Sequence, residues 1–250
     1  MVLTGGPGTG KTTIVRAILH VFANIQGPIL LAAPTGRAAK RLSQACGRDA
    51  MTLHRLLEYI PREGFKRGRD RPLEAAALIV DEASMIDQAL MVALLRALPV
   101  DARLILVGDA DQLPSVGPGH VLGDLLAVED VPAVRLQKVY RQATASQIVA
   151  AAHAVKAGQV PPVAPTGAKT DFFIVWAQDA DEAATLIDTM IADRIPQAFG
   201  IESAEVQVLT PMHRGTCGAQ NLNTRLQARL NPQGNALRLA ARELRIGDRV

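Results

Sequence analysis

Aromatic side chains are scarce in this chain. They make up 3% of its 250 residues, with one tryptophan and two tyrosines. Base-stacking platforms are therefore few, and Tyr59, Phe65 and Trp176 read first as core residues. The two cysteines, Cys46 and Cys217, lie far apart. That spacing excludes a disulfide framework and offers no metal-ligand pattern. The five histidines form no such pattern either. No apolar run is long enough to span a bilayer, and no secretory leader precedes the first strand, so the expectation is a cytoplasmic setting with no membrane partner. Apolar residues still make up 48%, enough for a packed core and too many for a disordered chain.

Net charge is also small, at +3, but it is unevenly spread. From Arg37 to Arg71 there are ten Lys/Arg against four Asp/Glu; from Leu73 to Pro132, ten acids against two bases; from Val206 to Val250, seven bases against two acids. Basic blocks around an acidic one suit two polyanion-facing surfaces beside a metal-binding centre. Solvated helix faces would give the same pattern.

Short apolar runs at Val2–Thr4, Ile29–Ala33, Ala77–Val80, Leu104–Val107, Val134–Leu136, Phe172–Val175 and Val206–Thr210 read as buried strands. They alternate with helical stretches such as Thr12–Ala23, Leu53–Tyr59 and Gln88–Ala97, the pattern of βαβ units in an α/β fold. Glu63–Arg71 and Gly158–Lys169 read as exposed connections. A boundary near Ala133 divides the chain into residues 1–133 and 134–250. Arg245–Val250 reads as the start of a further strand, so the chain reads as an excerpt of a longer protein.

Gly5-Gly6-Pro7-Gly8-Thr9-Gly10-Lys11-Thr12 fits the P-loop pattern in full, after a strand and at the opening of a helix. Its backbone N–H groups can wrap a phosphate chain at a helix N-terminus. Lys11 then reaches the β- and γ-phosphates, and the Thr12 hydroxyl binds Mg²⁺, which makes ATP and Mg²⁺ the expected cofactors. Thr13 continues the nucleotide-binding run. In Leu78-Ile79-Val80-Asp81-Glu82 an apolar strand ends in two acids. Asp81 suits a Mg²⁺ contact, and Glu82 suits orienting and deprotonating a water. Leu106-Val107-Gly108-Asp109-Ala110-Asp111-Gln112 is a third strand ending in a polar turn, with Gln112 aimed at the γ-phosphate. By itself that segment reads equally as a plain turn.

The ordered set GGPGTGKTT, APTGRAA, TLHRLL, IVDEASMID, VGDADQLPSVGPG and VYRQ, with LTPMHRGTCGAQNLN further on, resembles superfamily 1 helicases. Within them it is most similar to the RecD-like group, which includes the helicase parts of conjugative relaxases. The resemblance implies a P-loop NTPase with a RecA-like parallel sheet sandwiched by helices, followed by a second, incomplete RecA-like domain. It implies Lys11, Glu82, Gln112 and Arg141 as catalytic residues, Arg141 reaching the γ-phosphate from the second domain. It implies single-stranded DNA as partner, held by Pro34, Thr35, Gly36 and Arg37, by Thr52 and His54, and by Thr210, Pro211 and Arg214. A lone His54 on an amphipathic helix also reads as an ordinary surface or core residue. The implied activity is ATP-driven DNA unwinding with 5′-to-3′ polarity. An RNA helicase and a switch ATPase without a strand partner stay open as alternatives. Two later motifs of the family, one with a Gln-Gly pair after a Ser or Thr and one ending in a Thr-Arg that supplies a second catalytic arginine, are not matched in the chain. Nothing in the sequence names partner subunits of a repair or conjugation complex.

Overall fold

Six parallel strands carry the first half of the chain. In the computed structural model, residues 1–138, 146–163, 170–233, 235–239 and 242–248 are described. The elements run β1 (Val2–Gly5), α1 (Lys11–Val21), β2 (Ile29–Ala33), α2 (Gly36–Cys46), β3 (Ala50–Thr52), the single turn α3 (Leu53–Leu56), the hairpin β4 (Tyr59–Ile60) and β5 (Gly64–Phe65), β6 (Ala77–Val80), α4 (Gln88–Ala97), β7 (Arg103–Gly108), α5 (Val121–Ala127), β8 (Ala133–Leu136) and α6 (Gln147–Lys156). The sheet order is β3-β2-β6-β7-β1-β8, and every pairing is parallel.

Strand alternation divides the core between the two faces of the sheet. Leu3, Leu31, Ile79, Ile105 and Val107 pack with Val15 and Leu19 of α1 and Leu42 of α2. Val2, Ala32, Leu78, Val80 and Leu106 pack on the other face with Leu53 and Leu56 of α3, Leu90 and Leu94 of α4 and Leu122 of α5. Buried on both faces, β6 reads as an unbroken apolar run, as central parallel strands do. The fold is therefore α/β, a RecA-like P-loop sheet flanked by helices, as expected.

Several details differ from the sequence reading. The contact division falls between Phe172 and Phe173, giving units of residues 1–172 and 173–250, rather than near Ala133. The reason is β8, which pairs along its whole length with β1 and so extends the first sheet. Phe172–Val175 and Val206–Thr210 form no strand, since neither finds a neighbouring strand among the described residues. The expected helix Leu53–Tyr59 stops at Leu56, and Tyr59 enters the β4–β5 hairpin.

The second unit contains α7 (Ala180–Thr189), a π-helical turn at Met190–Arg194, α8 (Ile195–Phe199), α9 (Ala219–Leu230) and the antiparallel hairpin β9 (Ala236–Leu239) and β10 (Arg242–Arg245). Arg225 of α9 pairs with the buried Asp188 of α7 at 2.6 Å. Arg245 ends β10 and its N–H donates to Asp248 Oδ2, so 245–248 of the expected final strand is a hairpin end followed by a turn, and Arg249 and Val250 lie outside the described residues.

Candidate active site

The site is built where strand tips meet helix starts. β1 ends at Gly5, and the chain loops into α1. A Cβ on Gly5 would lie 2.7 Å from Thr9 Oγ1 and 2.9 Å from Leu136 Cβ, so only glycine lets the loop pass this close to β8. Gly10 stands at φ 88°, the left-handed conformation that turns the chain into α1 at Lys11. The loop is braced from within: Thr9 Oγ1 donates to Gly6 O at 2.8 Å, and Lys11 Nζ donates to Gly5 O at 2.6 Å and Gly6 O at 3.1 Å. A phosphate oxygen offers Lys11 the same acceptor chemistry with a full charge added.

Asp81 follows the last buried residue of β6. Its N–H donates to Ala32 O at 2.9 Å, and its Oδ1 accepts the Glu82 N–H at 2.9 Å. Burial pushes the Asp81 carboxyl above the usual carboxylate range, while the Glu82 N–H and the Lys11 ammonium pull it back. Glu82 is also raised, first by burial, then by the charge of Asp81; Lys11 opposes this, Asp109 adds to it, and Arg41 opposes it. Glu82 holds φ 53°, unusual for a residue with a side chain and common at functional sites.

β7 ends at Gly108, and the buried Asp109 shapes the turn beyond it. Asp109 Oδ1 accepts the Asp111 N–H at 3.0 Å, and Asp109 O accepts the Gln112 N–H at 3.2 Å. Thr4 Oγ1 accepts the Ala110 N–H at 3.2 Å, fastening this turn to β1. Thr12, Thr35, Arg37, Asp81, Glu82 and Gln112 then line one cleft of about 350 Å³. Six residues assigned from separate motifs are thus brought together. The Thr12 hydroxyl and the Asp81 carboxylate are hard oxygen donors in this cleft, the donor type Mg²⁺ takes beside phosphate.

Arg41 also lines the cleft and was missed by the sequence reading. Its signal was present: it lies one helical turn after Arg37. Thr4 and Asp109 were missed as well, because their roles depend on which strands are neighbours.

A second groove of about 400 Å³ lies on the other side of α2. Gly36, Lys40 and Ser43 of α2, Thr52 and Arg55 line it. It gathers Gly36 and Thr52, two of the expected strand contacts, and adds two cations. Thr35 and Thr52 also have structural duties. Thr35 Oγ1 accepts the Ala38 N–H at 3.3 Å as the N-cap of α2, and Thr52 Oγ1 accepts the Arg55 N–H at 3.2 Å as the N-cap of α3. Pro34 precedes the first of these caps.

His54 sits in neither groove. Its ring packs against Tyr59 at 5.3 Å and Phe65 at 5.7 Å between centroids. Tyr59 and Trp176, read as core, are exposed, at 45% and 77%. Tyr59 lies on a hairpin outside the main sheet, and Trp176 follows a segment that pairs with no strand. Thr210, Pro211 and Arg214 belong to the second unit, where Thr210 Oγ1 donates to Cys217 O at 2.7 Å and Arg214 is exposed. Arg141 lies outside the described residues. Among the described residues, no helix is long and apolar enough to cross a membrane.

Residues 1–118 match the family model of an AAA domain. All 250 residues align with the ATP-dependent RecD2 DNA helicase of Deinococcus radiodurans at 42% identity, covering 33% of that protein. The RecBCD enzyme subunit RecD of Mycobacterium tuberculosis is 36% identical over 264 aligned positions, which cover 91% of this chain and 46% of the relative. The ATP-dependent DNA helicase dda of Enterobacteria phage T4 is 35% identical over 127 positions, covering 48% of this chain and 29% of the relative. The chain thus spans a third to just under half of the length of the first two relatives. With similarity running along the whole chain and the motif residues gathered in one cleft, the chain is similar to the RecD-type DNA helicases over the part of their length that it spans.

Proposed function

We propose that the protein hydrolyses ATP and uses the energy to move along single-stranded DNA and unwind duplex. The observation that carries this reading is the convergence of Thr12, Asp81, Glu82 and Gln112 in one cleft beside the P-loop. In it, the loop 5–12 and Thr13 bind the nucleotide phosphates, and Thr12 and Asp81 hold Mg²⁺. Glu82 orients a water and takes its proton; a carboxyl raised towards neutrality suits that task. Gln112 is uncharged and stands on a turn tied to β1, so it can sense a γ-phosphate without binding it tightly.

The second groove supports the strand contact. Lys40 and Arg55 supply sequence-independent attraction for phosphates beside Gly36 and Thr52. We further assign residues 173–250 to the opening of a second RecA-like domain, with Thr210, Pro211 and Arg214 on its DNA-facing side; Arg141, earlier in the sequence, is assigned as the arginine for the γ-phosphate. Polarity 5′ to 3′, a cytoplasmic setting and a place in DNA repair or recombination belong to the same reading. RecD is, by its name, a subunit of a larger enzyme, and a partner subunit is expected here on that likeness alone.

The test is steady-state ATPase activity of the protein at its natural length, with and without single-stranded DNA. Strong, salt-sensitive stimulation supports the motor. Equal stimulation by RNA would replace the DNA reading, and turnover indifferent to either would replace the motor with a switch ATPase.

A further inference from the structure

Asp111 stands next to Gln112, and its carboxylate is not left to solvent. Asp111 Oδ2 accepts from Lys156 Nζ at 2.5 Å, across 45 residues of chain. Lys156 is the last residue of α6. The other end of that helix is also fixed. Asp171 Oδ1 accepts the Gln147 N–H at 2.8 Å, and Asp171 Oδ2 accepts the Ser146 hydroxyl at 2.5 Å. Ala151, midway along α6, is buried. The helix is therefore bound at its start to the segment that follows it and at its end to the turn that carries Gln112.

That turn is held from two directions. On the sheet side, Asp109 accepts the N–H groups of Asp111 and Gln112, and Thr4 accepts that of Ala110. On the other side, among the described residues, Lys156 is the side-chain partner of the Asp111 carboxylate. A cation at a helix C-terminus is favoured by the helix dipole, so Lys156 is well placed to keep this contact. Both side chains are about half exposed, which makes the pair a weak contributor to global stability. Its effect is local: it decides where the turn rests, and small displacements of a catalytic group are costly.

We infer that Lys156 is a positioning residue for the Gln112 turn, acting through Asp111 to tie α6 to the group aimed at the γ-phosphate. This rests on the ATPase reading of the same cleft. It assigns α6 a part in the chemistry although none of its residues lines the site.

The test uses the protein at its natural length, with ATP turnover followed against ATP concentration in the presence and absence of oligo-dT. Lys156→Ala is expected to lower kcat with oligo-dT by up to about fivefold, the upper end for losing one exposed ion pair. KM for ATP and the thermal midpoint should stay at wild-type values, and Lys156→Arg should restore kcat. The reversed pair, Lys156→Asp with Asp111→Lys, should recover more than either single change predicts. Wild-type kcat in Lys156→Ala overturns the inference, as does a loss that Lys156→Arg does not restore or that follows the thermal midpoint. A wild-type protein that oligo-dT does not stimulate overturns the motor reading and this inference with it, a result distinct from a stimulated wild type with an indifferent variant.

Discussion

Asp81 Oδ1 accepts the backbone N–H of Glu82 at 2.9 Å, while Glu82 itself stands in the left-handed region at φ 53°. This difference in geometry fits the different tasks proposed for the two adjacent carboxylates. Asp81 is committed to its neighbour's backbone and keeps a second oxygen for a cation. Glu82 stands at a strained backbone position, and among the described residues no hydrogen bond occupies its side chain. Glu82→Gln should therefore fold, bind ATP at wild-type affinity and turn over about 100- to 10,000-fold more slowly, the usual range for losing a general base. Single-turnover hydrolysis with a separate nucleotide-binding titration checks both halves. A variant that hydrolyses at the wild-type rate would remove Glu82 from the role.

The raised carboxyls make a second prediction about pH. Burial lifts both Asp81 and Glu82 above their ordinary values. The folded state then holds protons that the unfolded chain has already released. Above the raised values both groups are charged and cost stability, and the cost is relieved as pH falls through them towards the ordinary carboxylate range. The thermal midpoint of Asp81→Asn/Glu82→Gln should exceed that of the wild type at neutral pH. The gap should close on acidification through that window. Turnover should run the opposite way, falling on the acid side with a midpoint above that of an ordinary glutamate. A gap that widens on acidification would reverse the assigned cause.

The central strands were legible because burial on both faces leaves only apolar residues to choose from, as in Ala77–Val80. β3 was not, since Ala50, Met51 and Thr52 are half-buried at the sheet edge and form no apolar run. Phe172–Val175 and Val206–Thr210 show the converse. Their composition is strand-like, but a parallel strand exists only through its neighbours. The site follows the same rule. Thr12, Asp81, Glu82 and Gln112 sit in local motifs, each readable from a few consecutive residues. Arg41 depends on the phase of α2, Thr4 on β1 lying beside β7, and Lys156 on a contact 45 residues away. Arg41 could have been read one helical turn after Arg37, but Thr4 and Lys156 are not written in any short window.

Thr35 has a structural duty and a proposed binding duty, and two substitutions separate them. Thr35→Ala removes the cap of α2 and should lower the thermal midpoint by about 2–4 °C. Thr35→Asp keeps a capping oxygen, so the midpoint should stay near wild type. It also adds a negative charge to the lining of the first cleft, so nucleotide affinity should fall roughly tenfold. Calorimetric melting and nucleotide titration give the two readouts. Unchanged nucleotide affinity in Thr35→Asp would place Thr35 away from the nucleotide, and unchanged single-stranded DNA affinity in the same variant would confine it to capping.

Lys40 and Arg55 offer the sharpest check on the strand contact, because α2 separates their groove from the nucleotide cleft. Arg37, Ala38 and Arg41 face the cleft, whereas Gly36, Lys40 and Ser43 face the groove. Removing either cation should leave ATP affinity intact and weaken single-stranded DNA. The diagnostic is the salt dependence. A side chain that neutralises one phosphate of a single strand contributes about 0.7 to the slope of log affinity against log salt, so each of Lys40→Ala and Arg55→Ala should flatten it by about that amount, and the pair by about twice as much. The loss should be the same for unrelated sequences, since a phosphate contact reads no base. An unaltered slope in the double variant would move the strand off this groove. A slope that flattens together with a loss of ATP affinity would mean that the two sites are not independent across α2.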